Sequence, residues 1–180
     1  MTEPALASGA TQRPTLAEVY ASELEAVFRL LRRLGVPTAD LEDAAHDVFV
    51  VVHRRLPSYD PARPLRPWVL GITCNVASHA RRTVAARREE AREELDALDE
   101  RPRPDAAAAQ AQTRDLLSRA LAKLPDERRQ VVVLHELEGL SMPQIAELVD
   151  APLNTLYSRL RLARRELEEA LGELRGEVAA

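Results

Sequence analysis

Between residues 153 and 165 the side chains able to touch nucleic acid gather on one stretch of sequence: Asn154, Thr155, Ser158, Arg159, Arg161, Arg164 and Arg165. At a helical period Asn154, Ser158, Arg161 and Arg165 share a face, with Arg159 and Arg164 on its flanks. Hydrogen-bonding side chains near a helix start suit base edges, and arginines behind them suit phosphates. No acid interrupts the run, and Glu166 is the first. Leu153, Leu156, Leu160, Ala163, Leu167, Leu171 and Leu174 recur at intervals of three and four, which predicts a core-facing stripe on the same helix. A shorter element must hold this helix in place. Ser141 and Gln144 form a capping box, and Ile145, Leu148 and Val149 give an apolar face. Asp150, Ala151 and Pro152 break the helix, since proline disfavours helical geometry just before it and fits the first turn of the next helix. An isolated amphipathic surface helix would carry the same arginines. The capped helix and tight turn in front of it favour a DNA-reading helix-turn-helix.

The rest of the chain predicts an all-α protein of two small helical domains. Hydrophobic residues make up 46% of the 180, yet only six are aromatic, so the cores must be aliphatic and alanine-rich. Six glycines and few alternating runs argue against strands. The net charge of −4 would count against a nucleic-acid partner if it were evenly spread. Residues 83–112, however, hold five arginines and eight acids, which is −3 of the −4. The flanking segments are therefore nearly neutral, with local basic clusters. Residues 1–13 are small and polar and are expected to be disordered; 14–84 form a first domain, 85–112 a charged flexible linker, and 113–175 a second domain. In the first domain Thr15 and Glu18 make another capping box, and Gly35 and Pro37 stop the helix it opens. A second helix covers about 41–56, four prolines punctuate the loop to residue 67, and a third helix starts near Trp68.

Catalysis is not expected. The single cysteine, Cys74, lies in an apolar run and reads as a buried inert thiol, with no partner for a disulfide or zinc cluster. His46 and His53 lack a third ligand nearby. There is no glycine-rich phosphate loop and no nucleophile–base pair, so no metal or cofactor is implied. No apolar stretch approaches the ~20 residues that span a bilayer. The chain is expected to be soluble, without direct membrane insertion and, in a bacterium, cytoplasmic.

Several short motifs carry a resemblance. Asp40, Leu41, Glu42 and Asp43 are followed by His46, Asp47, Val48 and Phe49, then by the run from Leu56 to Asp60, by Arg66, Pro67 and Trp68, and by Ile72, Thr73, Cys74 and Asn75. These resemble the second conserved region of bacterial sigma factors, and residues 140–167 resemble the fourth. Both regions in this order, with a short variable linker between, look like the extracytoplasmic-function group. The resemblance implies a transcription initiation factor that binds core RNA polymerase and directs it to promoter DNA. Asp40, Glu42, Asp43, Asp47 and Phe49 would then dock on the polymerase clamp; acids alone would only complement a helix dipole, but apolar neighbours beside them suit an interface. Arg63, Arg66, Asn75, Arg81 and Arg82 would meet the proximal promoter element, where the family captures an extruded base and so holds melted DNA without ATP. Trp68 is read as core rather than as a stacking platform. The second helix of the helix-turn-helix would read the distal element.

The resemblance also implies an anti-sigma partner clamped across both domains. The departures from the family pattern matter as well. Asp150 and Asn154 stand where glycines are usual, and both tolerate left-handed backbone. Tyr157, Leu162, Gly71 and Cys74 occupy positions often held by basic residues, which predicts weaker non-specific DNA affinity. The alternative is a helix-turn-helix regulator that never engages polymerase. A third reading has both domains binding only protein.

Overall fold

The computed structural model describes residues 13–91 and 108–179, and within them every regular element is helical. The expected disorder of residues 1–12 and the middle of the charged linker lie outside the described residues. Helix α1 (Leu16–Arg33) starts as the capping box requires: Thr15 Oγ1 accepts from the Glu18 amide at 3.3 Å, and the Thr15 amide donates to the Glu18 carboxylate at 2.7 Å. It ends where Gly35, at φ +83°, lets the Val36 amide fold back onto the Leu31 carbonyl at 3.1 Å. A single 3₁₀ turn leads into α2 (Leu41–Arg55). Helix α3 (Leu65–Ala91) begins three residues before Trp68, because Pro64 and Pro67 both fit a first helical turn. These three helices pack mutually around Val19, Val27, Leu30, Leu31, Val48, Val52, Val69 and Leu70, all fully buried.

The second unit holds α4 (Ala108–Lys123), α5 (Asp126–Val132), α6 (Met142–Val149) and α7 (Leu153–Ala179). Helix α5 does not run on as a regular α-helix: after Val132 the chain widens into a π-helical stretch, Val133–Leu137. Helices α4, α5 and α6 all pack on α7, whose Leu156, Leu160, Ala163 and Leu174 are buried as the sequence stripe predicts, while Leu167 and Leu171 are half-buried. Leu153 is the exception. It is 42% exposed, because at the first turn of α7 no neighbouring element reaches across to cover it.

The two units are packed against each other. Helix α3 lies on α6 and α1 touches α4, and one continuous apolar cluster runs from Val19 and Leu70 to Val133, Ile145 and Leu156. Within α1, Glu23 is buried and one of its carboxylate oxygens has no hydrogen-bond partner. Burial raises its carboxyl above the ordinary value, and the Arg66 and Arg29 guanidinium groups only partly offset this. An acid with a raised folded pKa binds its proton more tightly folded than unfolded, so its ionisation opposes folding at neutral pH. Glu23→Gln is expected to raise the melting temperature at pH 7 by about 2–4 °C. Melts at falling pH should show that gain disappear as wild-type Glu23 takes up its proton; a variant that melts lower at every pH would show that the carboxylate is a net support.

Candidate nucleic-acid and partner interfaces

The helix-turn-helix is built from short-range chemistry. The Ser141 amide and hydroxyl both donate to Gln144 Oε1 at 2.9 Å, which fixes the start of α6. Asp150 closes α6 at φ +48° and ψ +53°, the left-handed conformation that aspartate tolerates better than most side chains. Among the described residues it is the only non-glycine with positive φ. Asn154 has no need of that conformation, since it already lies in the first turn of α7.

On α7 the seven candidate DNA contacts divide. Asn154, Ser158, Arg161 and Arg165 are exposed. Between them Tyr157 stands 56% exposed and, with Leu153, gives the face an apolar edge. Thr155 is half-buried. Arg159 leans back to Glu127 at 2.5 Å, with its side chain only 25% exposed, and Arg164 pairs with Glu136. Arg165 reaches Glu169 one turn on, at 3.7 Å, whereas among the described residues no acid pairs with Arg161. Arg161 is therefore the cation most available to a ligand, and Arg159 and Arg164 also brace α7 against α5 and the π-helical stretch that follows it.

The second group of cations lies on the first unit, facing the second. Tyr59 and Trp68 pack as a tilted pair with ring centroids 4.8 Å apart, and the Tyr59 hydroxyl donates to the Arg63 carbonyl, which fixes the proline-rich loop. Trp68 is packed against the core, as expected. Asn75 is exposed and lines two cavities, of about 410 and 230 Å³, along the seam between the units. Arg82 borders the larger cavity, where Asp126 and Glu127 stand opposite. Arg63 pairs with Glu147, Arg81 with Asp126, and Arg66 approaches Glu138 at 3.7 Å. The sequence gives no hint that these candidates face acids of the other unit.

The acids expected to face polymerase form a third surface. Glu42, Asp43 and Asp47 are exposed and Asp40 is half-exposed. Phe49 is not the exposed anchor expected of it: at 7% exposure it lies inside the first core, with its ring 4.7 Å from that of Tyr20. Tyr20, 47% exposed on α1, is the aromatic this face presents. Its position next to Val19 is the available signal, because a helix stripe that buries Val19 turns Tyr20 outward.

Two buried groups hold the seam. Arg129 is 2% exposed and donates to four carbonyls: Leu121 at 2.6 Å, Leu124 at 2.7 Å, and Ala122 and Leu34 at 2.9 Å. Those oxygens end α4 and α1, where helix dipoles favour a cation. Burial, with Arg81 nearby, lowers its pKa to about 10, so it stays charged at neutral pH. The Glu138 carboxylate, 1% exposed, takes Arg33 at 2.5 Å and lies 3.8 Å from Arg29. Burial, assisted by Glu138, pushes the Cys74 thiol up to about 12, which keeps it unreactive.

This arrangement has relatives. Residues 19–88 match the family Sigma-70 region 2 and residues 114–167 match Sigma-70, region 4. The chain is 31% identical over 168 residues to the ECF RNA polymerase sigma factor SigE of Mycolicibacterium smegmatis, covering 92% of this chain and 65% of that protein, so it spans just under two thirds of that relative. It is 29% identical over 150 residues to the ECF RNA polymerase sigma-E factor of Escherichia coli K12, covering 77% of this chain and 78% of that one. Among solved structures, CnrH in complex with the cytosolic domain of CnrY aligns with a TM-score of 0.63 at 26% identity, covering 88% of each chain. The sigma factor RpoE of Bartonella quintana, solved with the anti-sigma factor NepR, shares the fold with a TM-score of 0.71 at 19% identity, covering 87% of this chain and 96% of that one. With both regions matched in order on one helical chain, this protein belongs to the sigma-70 family, in its extracytoplasmic-function group.

Proposed function

We propose that the chain is a transcription initiation factor: it binds core RNA polymerase, reads the distal promoter element with α7, and helps hold open the proximal element with the α2–α3 unit. The observation that carries this is the acid-free exposed face of Asn154, Ser158 and Arg161, on the same chain as a region 2 unit presenting Asn75 and an acidic α2. A promoter regulator that ignores polymerase would have no use for region 2. In this reading Asn75 meets a base edge, and Arg63, Arg66, Arg81 and Arg82 support the backbone of a single strand. Glu42, Asp43 and Asp47, with Tyr20 beside them and Asp40 at the rim, dock on a basic surface of polymerase. The chain makes no bonds itself, takes no cofactor, and works in the bacterial cytoplasm, where polymerase is. Among the described residues no helix is long and apolar enough to cross a membrane. An anti-sigma partner is part of the proposal, supported by the relative RpoE solved with one.

In vitro run-off transcription with core polymerase on a genomic library tests the whole reading. Discrete transcripts that need the chain are expected. Asp43→Arg with Asp47→Arg should weaken core binding about tenfold or more, equivalent to ~1.4 kcal/mol, while leaving the circular dichroism of the free chain unchanged. Core binding that is indifferent to both reversals would remove α2 from the docking surface. Absence of any specific transcript would favour the polymerase-independent regulator.

A further inference from the structure

We propose that Leu153 and Tyr157 form an apolar edge of α7 that reads thymine methyl groups in the distal promoter element, which makes them specificity-determining residues of this chain. The inference rests on reading α7 as the helix that enters the major groove. Exposed large apolar side chains are few. Among the described residues they are Tyr20, Leu153 and Tyr157, and two of the three stand on the first two turns of α7. Spaced four apart, Leu153 and Tyr157 lie on one line of the helix, and Arg161 continues that line one turn further on. Asn154 and Ser158 run beside it, exposed as well. The apolar edge is therefore continuous with the polar and cationic side chains offered to DNA, and not a separate patch.

Neither residue serves the fold where it stands. No neighbouring element covers Leu153, and among the described residues Tyr157 makes no ring pair and no hydrogen bond within the chain. In the major groove thymine is distinguished by its C5 methyl group, which takes apolar contacts, whereas the edges of guanine, adenine and cytosine are read by donors and acceptors. A basic side chain at residue 157 would answer a phosphate or a guanine. The tyrosine ring offers a methyl group an apolar surface instead. Tyr157 thus has a second consequence besides the lost phosphate contact: it exchanges a contact blind to sequence for one that selects a base. At 1.5 Å of rise per residue, Tyr157 lies about 6 Å along α7 from Arg161, roughly two base-pair rises. The thymine read by Tyr157 should accordingly fall within about two base pairs of the guanine read by Arg161. Leu153, one turn before Tyr157, would meet a second thymine farther out on the same side.

The test uses holoenzyme assembled from core polymerase and the full chain, on promoters recovered from the run-off library. Each thymine of the distal element is replaced in turn by deoxyuridine, which removes the methyl group and keeps every hydrogen-bonding group. The protein is untouched by that change, so folding does not enter. Fluorescence anisotropy in competition measures promoter affinity. Deoxyuridine is expected to weaken binding about fourfold at the inner and the outer thymine, the share of one buried methyl-sized group each, and to have no effect elsewhere. Tyr157→Ala should bind the thymine promoter about fourfold more weakly and no longer distinguish deoxyuridine at the inner position. Leu153→Ala should do the same at the outer one. Tyr157→Phe should keep the preference, and circular dichroism checks that all three variants retain their helices. A wild-type chain that binds every deoxyuridine promoter equally well would overturn the proposal, as would a distal element with no thymine at those positions. A Tyr157→Ala chain that still discriminates would also sink it. If Tyr157→Phe loses as much affinity as Tyr157→Ala, the contact is the hydroxyl and not the ring, and the methyl reading fails. Indifference to deoxyuridine with discrete transcripts still made removes this inference alone; the absence of any chain-dependent transcript removes the initiation role and this inference with it.

Discussion

Arg161→Ala is expected to lower promoter-specific run-off transcription about 10–100-fold, the effect of losing one arginine contact worth ~1–3 kcal/mol of base discrimination. Among the described residues it is exposed and paired with no acid of the chain, so it reaches the groove without first breaking a bond. Arg159→Ala should cost less, because Arg159 spends its guanidinium on Glu127 at 2.5 Å and is only 25% exposed. Core polymerase binding should be untouched in both variants, since α7 and the acidic surface of α2 lie on different units. An Arg159 variant that loses more than the Arg161 variant would mean that the Glu127 pair opens on DNA and that α7 sits in the groove rotated towards its Arg159 flank. Loss of core binding in either would contradict the division of labour between the two units. The same promoter titrated over a range of salt isolates the contribution of Tyr157. Tyr157→Lys should steepen the salt dependence by about 0.9, the share of one added phosphate contact on duplex DNA.

Arg129→Met should destabilise the folded chain by about 3 kcal/mol or more, because four carbonyls bound by one buried cation lose their donor together. For a chain of this length that corresponds to a fall of roughly 6–12 °C in melting temperature, measured by calorimetry. Arg129→Lys should rescue little. An ammonium is a compact point charge and cannot span the ends of α4 and α1 with a planar fork. A lysine variant that melts near wild type would show that charge rather than geometry holds this junction. The Leu34 bond ties the first unit to the second, so the variant should also loosen the seam, whereas the other three bonds stay within the second unit.

The range of an interaction sets how far it can be read from the order of residues. The two capping boxes, the left-handed Asp150 and the core stripe of α7 from Leu156 to Leu174 follow from residues within a few positions of one another, where helical geometry alone brings the partners together. The buried, unreactive Cys74 follows in the same way from its apolar neighbours. Leu153 departs from the stripe because periodicity says which way a side chain turns, not whether anything lies there to cover it. Phe49 departs from expectation for a related reason: an apolar residue beside acids fits an interface rim and a core edge equally well, and Tyr20, 29 positions earlier in sequence, settles the matter by packing its tilted ring against it.

The all-helical class, the paired sigma regions and the kinds of residue offered to DNA and polymerase are properties of local pattern, and they can be read from the amino-acid order alone. Which cations remain open to a ligand is a property of the folded chain. Arg33 finds Glu138 across 105 positions, Arg63 finds Glu147 across 84, and Arg129 finds the Leu34 carbonyl across 95. No periodicity reports such distances. They depend on how two helical surfaces fit, and here that fit turns on Gly71, small enough to let Leu148 in.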